Sequence, residues 1–170
     1  MSDPVQLLKD LQPQQDFFIG IDSDGCAFDS MELKHKECFC PNFIKHFGLQ
    51  AVSKYARETW DFVNLYSKTR GYNRFKAVLV ALDLLRARPE VQARGVEIPD
   101  MQGLRDWVRR ETKLGNPVLE AELQQNPDPD LKLALQWSHG VNRSVEEIVF
   151  NLPPFPYLTR SLQKLQGQAD

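Results

Sequence analysis

The sequence predicts a mostly α-helical protein with a single β-strand, and three observations support this prediction. Residues 17–21 (FFIGI) form a short, continuous apolar run, which is typical of a buried strand. From Ser30 onward, apolar residues recur at helical spacing. Glycine and proline residues divide that part of the chain into segments of ordinary helix length.

The helices can be placed in order from their start and stop signals. Residues 5–12 can form a short amphipathic helix before Pro13. Gly48 and Gly115 mark C-terminal ends, and Pro99–Asp100 marks a start. Pro41 predicts a break or kink, because proline cannot donate the helical hydrogen bond. The further predicted helices are 31–49, 51–69, 74–88, 101–114, 116–125, 128–150 and 158–170, with 152–157 (LPPFPY) as a rigid linker.

The composition excludes some classes of protein. The 21 basic and 23 acidic residues leave no broad charge asymmetry, so nothing points to a nucleic-acid or membrane-surface partner. No apolar run approaches the roughly 18–20 residues that cross a bilayer. The polar N-terminus lacks the apolar region of a signal peptide, and we therefore expect a cytoplasmic protein. Oligomeric state stays open.

The single strand poses a problem of backbone hydrogen bonding. A lone strand cannot satisfy its own N–H and C=O groups. Either residues 17–21 pair with a segment that the pattern does not reveal, or the rest of the sheet lies outside this chain.

Acidic residues follow the predicted strand at once. Asp22 and Asp24 can project into one space at the carboxyl end of a sheet, where open α/β folds bind ligands, and Gly25 allows a sharp turn. An EF-hand also begins D-x-D, but its sixth and twelfth positions would hold Ala27 and Leu33 instead of Gly and Glu. Asp29, just before a predicted helix, is interpreted as an N-terminal cap.

The stretch FFIGIDSDGCAFDSMELK resembles motif I of the haloacid dehalogenase (HAD) superfamily, in which four hydrophobic residues precede D-x-D-G-T-[LV]-x-D. The resemblance implies that Asp22 is the nucleophile and forms an aspartyl-phosphate, while Asp24 is the general acid/base. It also implies Mg²⁺ as cofactor, held by the Asp22 carboxylate and the Asp24 backbone carbonyl. Cys26 departs from the usual threonine. In that family, an aspartate at the second position favours a phosphatase- or phosphomutase-type activity over cleavage of a carbon–halogen bond.

The resemblance also implies an architecture: an α/β HAD-like, Rossmann-type core with an inserted α-helical cap. Residues 1–30 would start the core, 31–150 would form the cap, and 151–170 would be the linker and helix that return to the core. The phosphate-binding Ser or Thr, the lysine and the further acidic ligands of the family come later than residue 170. We therefore expect this chain to be the N-terminal part of such a protein and inactive alone.

Cations and aromatic residues cluster around Gly71. Lys68 and Arg70 are the best candidates to bind a small phosphorylated substrate, because a cap loop has to grip an anion. The alternative is a solvated turn between helices, which is the commoner use of such residues.

The cysteines favour a structural role. Cys26, Cys38 and Cys40 are odd in number and clustered, which argues against a disulfide framework. With His35 they offer soft-metal ligands, but C-x-C is not a standard zinc spacing, and reduced, buried thiols are the preferred interpretation.

Two functions follow from the sequence. The first is Mg²⁺-dependent phosphoryl transfer by the complete HAD-like protein. The alternative is a non-catalytic helical binding or interaction protein that retains a relic motif I.

Overall fold

A computed structural model describes residues 4–170, except for the side chains of Pro4 and Leu7. The described chain is mostly α-helical, as predicted. None of its helices is both long and apolar enough to cross a membrane. The α-helices of the described residues are α1 (Pro4–Lys9), α2 (Ser30–Leu33), α3 (Cys40–His46), α4 (Ser53–Asp61), α5 (Arg74–Arg86), α6 (Pro89–Gln92), α7 (Gln102–Arg110), α8 (Asn116–Gln125), α9 (Pro129–Ile148) and α10 (Leu158–Leu165).

The chain divides into two compact units. A helical unit is continuous in sequence and comprises Met31–Asn151. A discontinuous unit takes in the chain up to Ser30 together with Leu152–Asp170. These boundaries lie within one residue of those drawn from the sequence. The assignment of the two parts as a HAD core and its cap stays a prediction.

The predicted buried strand at residues 17–21 is wrong as stated. In the part of the chain that the structure describes, β-pairing is limited to isolated bridges, and none involves these residues. The segment has no regular secondary structure, and Phe17 and Phe18 expose 70% and 72% of their surface. The physical reason is that a lone strand cannot satisfy its own backbone groups. An apolar extended segment is buried only where neighbouring strands cover it.

One backbone contact does reach this segment. The N–H of Ile19 donates to the carbonyl of Asp170 at 2.9 Å, and the N–H of Asp170 donates to the carbonyl of Phe17 at 2.9 Å. Asp170 is thus hydrogen-bonded to the residues before and after Phe18. Two such bonds from one residue form the pattern of parallel strands. An apolar groove of about 470 Å³ runs between Ile19, Ile21 and the α10 residues Leu162 and Leu165.

The first long predicted helix changes from α to π geometry before Pro41, where a break or kink was expected, and the backbone stays right-handed helical at Leu33, Phe39 and Cys40. After α2 the chain forms a π-helical segment at Lys34–Phe39, called here the first π segment, and α3 then begins at Cys40. Pro41 lies in the first turn of α3, where its missing N–H costs no intrahelical bond.

The second predicted helix ends three residues early. After α4 it continues as a second π segment, Phe62–Tyr66, and then the backbone becomes extended at Ser67. The hydroxyl of Thr69 donates to the carbonyl of Val63 at 2.6 Å, and the hydroxyl of Ser67 donates to the same carbonyl at 3.1 Å. These side chains satisfy a helix-end carbonyl, which stops the helix there.

The start of α7 differs from the prediction. The N-cap is Met101, in the left-handed region at φ 60°, rather than Asp100. The first turn of α7 is instead satisfied from the neighbouring helix, because the N–H of Gly103 donates to the Asp130 carboxylate at 2.9 Å. Asp128 caps α9 in the ordinary way and accepts from the N–H of Leu131 at 3.0 Å.

The core of the helical unit is an aromatic cluster between α3, α4, α5 and α9. Trp60 and Trp137 are fully buried, with ring centroids 5.9 Å apart in an edge-on arrangement. Phe43 and Phe47 from α3 and Phe75 from α5 pack around them. Rings at these separations and angles stabilise a core beyond their area alone.

Candidate functional site

The D-x-D stretch folds into a tight turn of the discontinuous unit. The carbonyl of Ser23 accepts from the N–H groups of Ala27 and Phe28, at 3.1 and 3.0 Å. The N–H of Gly25 donates to the carbonyl of Phe28 at 2.8 Å. Gly25 has φ 71°, a left-handed conformation that glycine adopts without strain, which explains its place in the motif.

This turn holds Asp22 and Asp24 in different surroundings. Asp22 is exposed, and its Oδ1 accepts from the N–H of Ser23 at 2.8 Å. Asp24 is partly buried, and its Oδ1 accepts from the hydroxyl of buried Ser30 at 2.5 Å. Asp29 is exposed and lies directly before α2, at the position expected of a helix cap. The Asp22 carboxylate is thus accessible, and the Asp24 carboxylate is oriented by the hydroxyl of Ser30.

The donor types at this turn suit Mg²⁺. Carboxylate and carbonyl oxygens are its preferred ligands, and it is often held by one or two carboxylates while keeping several waters. Between residues 4 and 170, no group of three or more His, Cys, Asp or Glu side chains is placed to hold a metal ion. The turn therefore offers at most a sparse, open site of the kind that Mg²⁺ accepts.

Lys68 and Arg70 lie in the helical unit, on the loop between the second π segment and α5. Both side chains are exposed. The N–H of Arg70 donates to the carbonyl of Ser67 at 3.2 Å, which forms a turn, and Gly71 follows at φ 85°. The role of these two cations in substrate binding stays a prediction.

The cysteines match the structural interpretation. Cys38 and Cys40 are buried and unpaired, while Cys26 is exposed and unpaired. Burial raises the pKa of the Cys40 thiol to about 12. His35 is not joined to them in a metal group of the described residues. It lies instead against a cavity that the sequence did not reveal.

The cavity has a volume of about 210 Å³ and lies within the helical unit. Both π segments contribute to its wall, through His35 and Phe39 from the first and Asn64 from the second. The remaining lining residues are Met31, Trp60, Gly71, Tyr72 and Arg74. π-Helical turns occur often at functional sites, because they turn side chains out of the regular helical register.

His35 is held neutral in this wall. Burial lowers its pKa to about 4, with smaller contributions from the positive charges of Arg70, Lys34 and Arg74. Its ring stacks on Phe39 at 4.8 Å, and its Nδ1 accepts from the indole N–H of Trp60 at 3.3 Å. A neutral imidazole that accepts at Nδ1 carries its proton on Nε2, which is therefore a donor.

Sequence reasoning missed the cavity, although it named two of its residues for other reasons. His35 entered as a possible metal ligand, and Gly71 as the centre of a cluster of cations and aromatic residues. The available signal was spacing: His35 and Phe39 are four residues apart, as are Trp60 and Asn64, so each pair shares a helix face. Nothing in the sequence indicated that the two faces meet.

Comparison with known proteins adds no relative. No protein-family profile matches the chain, and neither a curated protein nor a solved structure is significantly similar to it.

Proposed function

We propose that the chain supplies the nucleophile and the general acid/base of a HAD-like, Mg²⁺-dependent phosphoryl transfer. The observation that carries this proposal is the pair of carboxylates in the D-x-D-G turn. Asp22 is accessible, whereas Asp24, two residues later, is oriented by the hydroxyl of Ser30 at 2.5 Å. Two carboxylates in distinct surroundings can divide the work of attack and proton transfer.

The chemistry assigns one role to each residue. The Asp22 carboxylate attacks the phosphorus of a phosphate ester, and an aspartyl-phosphate forms as the ester oxygen leaves. Asp24 gives that oxygen a proton and then takes one from the water that hydrolyses the aspartyl-phosphate. The Asp22 carboxylate and the Asp24 carbonyl would hold Mg²⁺, which when bound offsets the repulsion between substrate and carboxylates. Lys68 and Arg70 are proposed to attract the anionic substrate.

The parallel backbone pairing supports the finer fold assignment, an α/β core interrupted by a helical insertion. Phe17 and Ile19 are bonded to Asp170, which follows α10. A strand, a helix-containing connection and a parallel return form the repeating unit of α/β folds. The family's remaining motifs belong to later strands of such a sheet, so we propose the activity for a polypeptide that includes them.

The test is turnover of p-nitrophenyl phosphate by the full-length polypeptide with MgCl₂. Asp22→Asn should abolish turnover, because an amide does not attack phosphorus. Asp24→Asn should slow it by roughly 10²–10⁴-fold, the usual contribution of general acid/base catalysis. Asp29→Asn is the matched control: it removes an exposed carboxylate next to the same turn and should leave turnover unchanged.

Mass spectrometry of the Asp24→Asn variant adds a direct readout. A phosphoryl group should accumulate on Asp22, since its hydrolysis lacks a base. Wild-type turnover by Asp22→Asn would remove the proposed nucleophile, whereas no turnover by the parent polypeptide would leave the binding-protein alternative, which the cavity of the helical unit favours.

A further inference from the structure

The cavity of the helical unit contains a cation without a carboxylate partner. Arg74 is partly buried, and burial lowers the pKa of its guanidinium. Its Nη1 donates to the hydroxyl of Ser138 at 2.9 Å and to Oδ1 of Asn142 at 2.7 Å. Both acceptors are neutral, and none of the ion pairs among residues 4–170 includes Arg74. A buried charge is costly unless an opposite charge or strong hydrogen bonds compensate it.

The guanidinium is also fixed in place. Ser138 is fully buried, and its hydroxyl donates in turn to Oδ1 of Asn116 at 2.6 Å. The guanidinium carbon lies 5.1 Å from the ring centroid of Phe39. With Nη1 used in this network, the remaining N–H groups of Arg74 find no acceptor among the described residues and stay available to a ligand. A held guanidinium binds carboxylate or phosphate groups without first losing side-chain freedom.

A second donor and a second polar group lie in the same wall. His35 presents Nε2–H, because its Nδ1 is occupied by Trp60. Asn64 is buried, and its amide nitrogen donates to the carbonyl of Trp60 at 3.0 Å. This bond fixes the orientation of the amide. The wall thus contains a cationic donor, Arg74, a neutral donor, His35, and the amide of Asn64, each hydrogen-bonded to a buried residue. Ligand sites typically contain a few convergent polar groups of this kind.

The rest of the wall is aromatic and small. Phe39, Trp60 and Tyr72 line the cavity, with Tyr72 51% exposed, and the volume of about 210 Å³ lies below the roughly 300–1,000 Å³ of sites for drug-sized ligands. The ligand that matches this wall is small, has a flat apolar body and carries one acidic group.

We propose that the cavity between the two π segments binds a small organic anion, with its carboxylate or phosphate on Arg74 and His35 and its flat body against Phe39, Trp60 and Tyr72. This inference does not rest on the proposed phosphoryl transfer. It assigns a ligand to the helical unit, whether or not the D-x-D-G turn is catalytic.

The experiment is isothermal titration calorimetry of the Asp22→Asn chain, which separates binding from turnover. The probes are benzoate and phenyl phosphate, with benzamide as the neutral analogue of benzoate. We expect at least one anion to bind saturably, and benzamide to bind at least tenfold more weakly than that anion. Arg74→Gln should weaken binding of the anion roughly 10- to 100-fold, the range of a charge-assisted hydrogen bond.

Two further variants keep the test decisive if Arg74→Gln fails to fold. Arg74→Lys retains the charge and should keep part of the affinity, whereas His35→Phe removes the Nε2 donor but preserves the stack on Phe39 and should weaken binding severalfold. Arg109→Gln is the matched control, because Arg109 is an exposed cation of α7 paired with Asp106. Absence of saturable binding by both anions, equal affinity for the bound anion and benzamide, or binding unaffected by the folded Arg74 and His35 variants would each overturn the proposal.

Discussion

The two units of the chain treat their apolar residues in opposite ways. In the helical unit, Trp60, Trp107 and Trp137 are all fully buried, and helices from four parts of the sequence surround them. In the discontinuous unit, Phe17 and Phe18 expose most of their surface, although they belong to the most apolar run near the N-terminus. The sequence pattern is equally hydrophobic in both places.

The difference lies in what each segment has as a neighbour. A helix satisfies its own backbone and needs only one apolar face covered, which a few adjacent helices provide. An extended segment needs strands on its edges as well as cover on its faces. Among the described residues, only Asp170 forms backbone hydrogen bonds with residues 17–21. Hydrophobicity therefore predicts burial only where the chain also supplies the partners.

The sharpest way to break this comparison is to truncate one aromatic residue in each unit. Trp137→Ala should lower the free energy of unfolding by about 3–5 kcal/mol, because it leaves a large cavity in a packed core. Phe18→Ser should change it by less than about 0.5 kcal/mol, because the ring is 72% exposed. Urea denaturation followed by circular dichroism measures both. Similar losses in the two variants would show that residues 17–21 are packed after all.

A second test uses His35, the partly buried histidine of the cavity wall. His35 has a pKa of about 4 in the folded protein against about 6.5 when unfolded, so the unfolded chain gains the proton first as the pH falls. Its contribution to stability is complete above pH 6.5 and is lost between pH 6.5 and pH 4. From 1.36 kcal/mol per pKa unit, the loss should reach about 2 kcal/mol at pH 5.

The measurement is the free energy of unfolding at pH 7.5 and pH 5. His46, whose pKa burial also lowers, acts in the same direction. His35→Phe should therefore reduce the pH dependence, while Asp61, whose pKa burial raises, acts in the opposite direction to both histidines. An unchanged slope in that variant would mean that His35 is not buried as a neutral group.

The smallest expected effect concerns the close approach of α9 to α3. A Cβ added at Gly140 would lie 2.6 Å from Oδ1 of Asn42 and 2.9 Å from Nε2 of His46. The Asn42 amide is held by the Cys38 carbonyl and the Ser144 hydroxyl, each at 2.8 Å, so it cannot move freely. Gly140→Ala should cost about 1–2 kcal/mol of overpacking, against the roughly 1 kcal/mol that alanine gains in a helix.

Gly115→Ala is the matched control for this variant. Its added Cβ would meet only Pro117 Cδ, at an ordinary 3.8 Å, and its melting temperature should stay close to that of the parent. If Gly140→Ala melts as high as Gly115→Ala, the packing of α3 on α9 is looser than described.

Local signals in the sequence predicted most of the helices. The α8 helix has the predicted bounds, and Asp128 caps α9 as its position before Pro129 suggests. The signals failed where a distant residue decides the outcome. Asp100 was expected to cap α7, but the first turn of that helix is satisfied by Asp130, which lies on another helix. Propensity contains no information about such a partner.

The candidate sites divide in the same way. The D-x-D-G turn is a local motif, so its carboxylates could be singled out from sequence spacing, although its activity stays a prediction. The cavity depends on two π segments meeting, with His35 and Asn64 about thirty residues apart in the chain. Sequence periodicity does not distinguish a π segment from an ordinary helix. The side chains that the π segments turn toward the cavity could therefore not be recognised.

The discontinuity of the smaller unit has a consequence for the order of folding. Phe17 is synthesised early, but its hydrogen-bonded neighbour Asp170 emerges only after the whole of Met31–Asn151. The helical unit is itself closed late, because α9, near its C-terminal end, packs on the first π segment and on α3 near its start. The apolar residues at 17–21 must therefore wait through the synthesis of another folding unit, during which time chaperones can bind them and unpaired edges can associate.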